Sequence, residues 1–597
     1  MRNGKWVFSF AVLLLVAATF RISVAHWLPN DSPDDGRIYA QMARNVLEQH
    51  VYSHDSEPPF NPSLIRLPGY PLFLTSIYAV LGHENNGAVR IIQALIDTAT
   101  CGLIALLAFY WQPDERKKRA TALAALALAA VCPFTTIYTA TILTEVLTNF
   151  LLVALLLAVT IALRPTLTTE DTRENTNKKT LKKALVWWCA AGLIGGVAVM
   201  MRPDAGLFLA AVGITLVATN IWGAVAIPIY RERHRFGSTG NADDQRDPKR
   251  RRRYALPAPS KILASRVLVS AATFSFAFAL VLTPWTIRNW RTFHVFQPLA
   301  PQHAEMPGEF VPRGYLLWVR TWLDDQKYVA QFLWPLEIER IDVDDLPPQA
   351  FDSPEEKKRV AALLEKYNKP EDSDSENANA PQAQPTPSPT PTPSPSPSER
   401  STKSNATASP TPDETSEEED ESDNETDQEQ TDVEMTPDID AGFMQIARER
   451  IARHPFRHYV WLPIKRAQTM WFDTHSQYWP FEGELLPLDD LDYDIHQQYW
   501  LPLFAGLTAI YTLVGLAGAW VLWRARKFEG RQWLLLVGLA IGLRLALFSS
   551  LENPEPRYLV EFFPILSVLG GIAMARIAVS TRSGSDGVRD QDRKFAN

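Results

Sequence analysis

Hydrophobic and polar positions along this chain fall into long blocks. Ten blocks of eighteen or more residues are apolar and nearly uncharged: 6–28, 88–111, 119–139, 141–163, 184–201, 204–222, 265–287, 498–523, 532–550 and 558–578. As helices rising about 1.5 Å per residue, such blocks match the ~30 Å hydrocarbon core of a bilayer. The pattern predicts an all-α polytopic membrane protein and excludes a purely soluble enzyme. One more apolar stretch, 70–81, is too short to span unaided. It is read as interfacial, re-entrant or the visible part of a longer tilted helix.

The first block follows a short basic N-terminus, exceeds the ~7–15 residues of a signal-peptide core, and ends in His26-Trp27-Leu28, which predicts a retained anchor. Lys/Arg clusters in short loops mark the cytoplasmic side. They occur at 116–119, at Lys178-Lys179 with Lys182-Lys183, at 249–253 and at 524–527. Ten crossings place every cluster inside, with both termini; an eleventh at 70–81 scatters them between sides. The ten-crossing layout also brings Asp31, Asp34, Asp35, Arg66, Glu145, Arg202, Arg288, Asn289, Glu552, Glu555, Arg557 and Tyr558 to the outer face. Snorkelling to headgroups explains any single arginine there. Acids and arginines gathered on one face from six segments fit a site better, because ionisable groups at a membrane border need water, partners or a ligand.

Composition changes the picture in the large outer region, 288–497. Residues 381–412 hold ten of the 44 prolines, and 413–440 hold fifteen acidic side chains with no Lys or Arg. Without that acidic stretch the net charge turns from −8 to +7. A segment of this composition cannot bury enough apolar surface to fold, so 370–440 is read as a disordered insertion, a solvated spacer of no assigned role. Its Asn405-Ala406-Thr407 matches a glycosylation sequon, weak evidence alone. Its flanks look ordered: 315–334 is aromatic-rich, and 441–472 reads as one or two amphipathic helices.

The first outer loop carries helical signals. Asp34 or Asp35 caps a helix on which Ile38, Met42 and Val46 recur every four residues, giving an apolar stripe for a helix along the membrane surface. Pro68, Gly69 and Pro71 then make a rigid turn into the stretch from Tyr70.

Other chemistries find little support. Cys101, Cys132 and Cys189 lie unpaired in apolar segments and read as small buried hydrophobes. His454, His458 and His475 lack metal-ligand spacing. No P-loop, Rossmann fingerprint, GxSxG or HExxH is present. The KRRRR run at 249–253 flanks a span, so orientation and anionic lipid explain it more simply than nucleic acid.

At its motifs the chain resembles GT-C fold glycosyltransferases. Asp35, four residues before Tyr39 and directly after the first span, looks like their first-loop motif. RLPGYPLF (66–73), TILTE (141–145), MRPD (201–204), PWTIRN (284–289) and PEPRY (554–558) are similar to features of one branch. That branch holds protein O-mannosyltransferase-like enzymes, lipid A aminoarabinose transferases and lipopolysaccharide-core sugar transferases. The resemblance covers 1–300 and 440–580; the insertion 370–440 departs from it.

The resemblance implies a GT-C-like bundle of about 10–11 transmembrane helices in a bacterial-type inner membrane, its active site on the extracytoplasmic side. It divides the chain into a transmembrane module at 1–300 with a catalytic first loop at 28–87, an ordered loop part at 301–369, and the insertion at 370–440. Juxtamembrane helices at 441–497, C-terminal spans at 498–578 and a cytoplasmic tail at 579–597 follow. It implies a hexosyl or pentosyl transfer from a polyprenyl-phosphate sugar to a hydroxyl of a lipid, glycan or protein, with inversion. Such a single displacement needs a carboxylate within reach of the incoming hydroxyl, and Asp35 is the candidate base. Asp34 is the rival, since exchanging cap and base moves the carboxylate by one residue. Arg66, Arg202, Arg288 and Arg557 are the guanidiniums available to a leaving phosphate. Tyr39, Glu145 and Tyr558 join Asp34 as substrate-lining candidates, Glu145 being alternatively a helix–helix contact. Two adjacent carboxylates are too few for a metal site, and no metal, cofactor or nucleic acid is expected. Membrane lipids are the other expected partner. The alternative function is a transporter or flippase for lipid-linked saccharides. Such proteins show repeated halves and midplane charges; here no repeat is visible, and Arg21, Asp97 and Arg544 are the main deep charges.

Overall fold

The structure is a computed structural model that describes residues 2–28, 34–168, 174–219, 260–368, 433–472, 495–525 and 528–576. Every regular element among them is helical. Seven helices are long and apolar enough to cross a membrane: Gly4–Trp27, Asn86–Trp111, Glu145–Arg164, Leu181–Met201, Val267–Phe293, Pro502–Arg524 and Gly530–Ser549. The bent pair Lys118–Ala130 and Pro133–Thr139 makes an eighth if it crosses as one. The shorter apolar helices Pro203–Thr219 and Phe562–Arg576 occupy the two remaining expected blocks. The stretch left open at 70–81 is a separate helix, Gly69–Leu81, of 13 residues. At about 1.5 Å per residue it reaches some 20 Å, short of a bilayer core.

The 56° bend has a local cause. Pro133 has no N–H to donate to Ala129 O, whose backbone donor is instead Cys132 N–H at 3.3 Å, so the ladder breaks there. Arg21 adds donors from the first helix: its guanidinium donates to Ala129 O at 3.0 Å and Ala130 O at 3.1 Å, while its Nε meets Asp97 at 2.6 Å. These two deep charges therefore hold a break in the backbone. Close helix packing elsewhere uses small residues, as membrane helices commonly do. A Cβ on Gly192 would strike the Phe274 carbonyl, and one on Gly196 the Val281 side chain.

The flanks of the insertion form one packed unit. Helices Arg313–Arg320, Pro354–Asn368 and Pro437–Arg453 bury Tyr315, Trp318, Val360, Ile439 and Phe443 against each other, with Trp322 from just beyond the first. Arg466 ties this unit to the bundle, donating to Leu323 O at 2.8 Å and Ser549 O at 3.3 Å, beside an Arg320–Glu552 ion pair at 2.6 Å. The insertion expected at 370–440 lies outside the described residues as far as 432. From Val433 onward the chain belongs to the packed unit: Met435 and Ile439 are buried, and Asp440 accepts the Tyr315 N–H at 2.8 Å.

Two deletions separate spacer from core. Removal of 370–432 is expected to leave activity within a few-fold. Removal of 370–440 also takes two buried aliphatic anchors, each worth about 2–5 kcal/mol. It is expected to leave 313–368 open to limited proteolysis in the folded membrane protein.

Candidate active site

Five segments bring the expected polar residues to one cavity of about 1070 Å³. Helix Asp34–Glu48 carries Asp35 and Tyr39 at its start. Its buried Met42 and Ala43 face Gly69–Leu81, where the Tyr39 and Tyr70 rings meet edge-on at 5.2 Å. The expected apolar stripe thus packs on a helix. Arg66 ends the loop before that helix, with Leu64 and Leu67 buried on either side.

Arg202 follows helix Glu174–Met201 in an extended conformation, φ −145° and ψ 125°. Pro203 demands this, because a residue preceding proline is pushed out of the helical region. Gly69 lies directly against that turn: a Cβ there would overlap the Met200 and Met201 backbone. The RLPGYP and MRPD motifs therefore touch, which explains a glycine between two prolines.

Glu145 opens helix Glu145–Thr168 after an unwound segment, whose Thr141 carbonyl accepts from Gln93 Nε2 at 2.7 Å. Arg557 and Tyr558 sit in the single turn Pro556–Leu559, pre-set by Pro554 and Pro556.

Asp35 lies between two guanidiniums: Arg66 Nη2 is 2.9 Å from Oδ1 and Arg557 Nη1 is 3.2 Å from Oδ2. Its side chain keeps 27% exposure, so a ligand in the cavity can reach it. Burial works to raise the Asp35 carboxyl, but Arg557 and Arg66 outweigh it and hold it below the usual carboxylate range. Burial, then Asp35, pushes the Tyr39 phenol up to about 12. Burial and Glu555 push Tyr558 up as well. Both phenols therefore stay neutral donors at physiological pH. Arg557 also ion-pairs with buried Glu555.

Arg202 is more heavily compensated, with Glu145 at 2.7 Å, Asp204 at 3.1 Å and Glu561 at 3.6 Å. The Tyr558 ring stands beside both arginines, its centroid 5.6 Å from Arg202 Cζ and 5.4 Å from Arg557 Cζ.

Asp35, Tyr39, Arg66, Glu145, Arg202, Arg557 and Tyr558 thus share one cavity. Arg288 does not join them. Its guanidinium donates to Ser63 O at 2.7 Å and faces the Tyr52, Trp285 and Phe293 rings, so it fastens the first loop to its helix. The Asp34 side chain lies outside the described residues. The sequence reasoning passed over Asp204, inside the MRPD motif, and Glu561, in the last apolar block. An ionisable residue inside an apolar stretch was the available signal for Glu561. It also missed the wall formed by 300–312, including His303 and Glu305. Among the described residues no three His, Cys, Asp or Glu side chains come together as a metal site.

The chain is similar to the oligosaccharyltransferase AglB from Archaeoglobus fulgidus, in a structure with an inhibitory peptide and a dolichol-phosphate. The TM-score is 0.45 at 11% identity, covering 98% of this chain and 52% of that one. A second structure of that oligosaccharyltransferase, tethered to an acceptor peptide, gives 0.45 at 12% identity, with 96% and 49% covered. ArnT from Cupriavidus metallidurans bound to undecaprenyl phosphate gives 0.33 at 13%, with 96% and 78% covered. The chain spans about half the length of the oligosaccharyltransferase. No protein-family model and no curated protein matches it. The chemistry of the site rests on its own geometry.

Proposed function

We propose that this chain is a GT-C-like membrane glycosyltransferase. In this reading it transfers a sugar from a polyprenyl-phosphate donor to an acceptor hydroxyl on the extracytoplasmic face. The observation that carries it is Asp35 bridged by Arg66 and Arg557, 2.9 and 3.2 Å away, beside a 1070 Å³ cavity shared with Arg202. That volume stands at the upper end of the ~300–1,000 Å³ of ligand pockets.

The chemistry follows from the charges. A donor phosphate offers Arg66 and Arg557 a second anion, and planar guanidiniums suit it through parallel donors. As the phosphate takes up part of that pairing, Asp35 is released to accept the proton of the incoming hydroxyl. The hydroxyl oxygen bonds to the anomeric carbon while the sugar–phosphate bond breaks, its electron pair passing to the phosphate oxygen. The arginines stabilise the charge that grows there, where water is scarce. Tyr39 and Glu145 line the sugar's path, Tyr39 as a neutral donor and Glu145 as an acceptor.

One attack on the face opposite the leaving group inverts the anomeric centre. Proton NMR of the product is expected to show the configuration opposite to the donor's. Retention would overturn the single displacement.

A further inference from the structure

Behind the cavity wall, four buried side chains close a ring of alternating charge. Arg202 Nε meets Asp204 at 3.1 Å, and Asp204 pairs with Arg544. Arg544 Nη2 lies 2.9 Å from Glu561, and Glu561 lies 3.6 Å from Arg202 Nη1, closing the circle. Arg544 and Glu561 are both fully buried, and neither lines the cavity. Within the ring two guanidiniums face two carboxylates, and Glu145 adds a third carboxylate 2.7 Å from Arg202 on its cavity side, so every buried charge there has a partner. Arg544 does one thing more: its Nε donates to the Tyr558 carbonyl at 2.6 Å. That carbonyl belongs to the turn carrying Arg557, and Phe548, one turn beyond Arg544, stacks on the Tyr558 ring at 4.4 Å.

From this we infer that Glu561 and Arg544 are positioning residues for phosphate recognition, acting through Arg202 and Arg557. The inference rests on the proposal that the cavity takes a lipid phosphate. Its physical basis is that the two arginines come from segments more than 350 residues apart, so each needs its own support. Arg202 is aimed by the ring, and Arg557 is aimed by the turn that Arg544 grips. A guanidinium recognises phosphate through direction as well as charge, so a swing of either plane loses paired donors. Removing the Glu561 charge leaves Arg202 and Arg544 sharing Asp204, so the Arg202 plane is held by Glu145 and Asp204 alone and the repulsion from Arg544 shifts its direction. A residue that only stabilised the bundle would weaken every ligand alike. A positioning residue weakens the phosphate selectively.

The test compares farnesyl phosphate with farnesol on the full chain in lipid nanodiscs, read by intrinsic fluorescence. The unmodified protein is expected to prefer the phosphate. Glu561→Gln is expected to cut farnesyl phosphate affinity at least fivefold with farnesol unchanged, and Glu561→Asp, which keeps the charge, to recover part of the loss. Should Glu561→Gln fail to fold, Arg544→Lys carries the same test: it keeps a buried cation but gives up the bond to the Tyr558 carbonyl, so the phosphate preference should again fall. A phosphate-to-alcohol ratio unchanged in the variants would overturn the positioning role alone. An unmodified protein that does not distinguish phosphate from alcohol would overturn the donor proposal, and the positioning role with it.

Discussion

Replacement of Asp35 by Asn is expected to lower sugar transfer by at least ~10²-fold, the scale on which a positioned general base acts. The substitution keeps the size of the side chain and a hydrogen-bond acceptor for Arg66 or Arg557, so the protein should still fold and insert. What it removes is the site for the proton of the acceptor hydroxyl. The pH dependence gives this prediction a second edge. In the free enzyme Arg557 and Arg66 hold the Asp35 carboxyl below the usual carboxylate range. A group with a lowered pKa stays ionised as the pH falls, so the acid limb of kcat/KM should lie at unusually low pH. With donor bound, a phosphodiester shares those guanidiniums and adds a negative charge beside the carboxylate. The acid limb of kcat should therefore lie at higher pH than that of kcat/KM, and Asp35→Asn should abolish both. Coincident limbs would mean that Asp35 keeps both arginines throughout turnover. The Asp34→Asn protein serves as the comparison, and near-normal turnover by Asp35→Asn with a dead Asp34→Asn would move the base by one residue.

The second large effect is expected at Arg557. It touches Asp35 at 3.2 Å and reaches the cavity from a rigid turn, so it is placed for the phosphate as its charge grows. Arg557→Ala should cost about 10²–10³-fold in kcat, the range seen when one preorganised donor to a developing anion is lost. Arg557→Lys should recover little, because an ammonium offers a point charge where the site is built for a planar fork. Arg557→Ala also takes the guanidinium from the buried Glu555 carboxylate and leaves it the Asn553 amide as a donor, so a lowered melting temperature should accompany it. Arg288→Ala separates the two causes. Arg288 secures the Ser63 carbonyl away from the cavity, and its loss should lower stability without a selective loss of donor binding.

The helical blocks were readable because a bilayer imposes a length on any apolar segment, and charges beside those blocks stand out against it. Asp35, Arg66, Glu145, Arg202 and Arg557 carry that signal, each next to an apolar block and on one expected face. Arg288 carries the same signal, yet its guanidinium turns to a loop carbonyl and three aromatic rings. The PWTIRN and PEPRY arginines are alike as sequence; only the direction of each side chain separates them. Arg544 stood out as a deep charge, but its ring with Glu561 was hidden for the opposite reason. Each is a single charge in an apolar run, and the other half of the ring, Arg202 and Asp204, arrives from more than 300 residues away, so no local spacing reveals it. The start of the packed unit near 433 was hidden by composition. The acidic run continues through Asp440, but Met435 and Ile439 already reach a core built from residues 315–364.

The most direct test of the account is transfer itself. Membranes containing the protein are incubated with radiolabelled polyprenyl-phosphate sugars, hexosyl and pentosyl in turn, and the labelled product is identified. The account predicts that label leaves one lipid donor for an acceptor hydroxyl with the unmodified protein and stays on the donor with Asp35→Asn. Transfer by Asp35→Asn at the unmodified rate would contradict it. So would label that crosses the membrane while still attached to its lipid, the behaviour of a flippase.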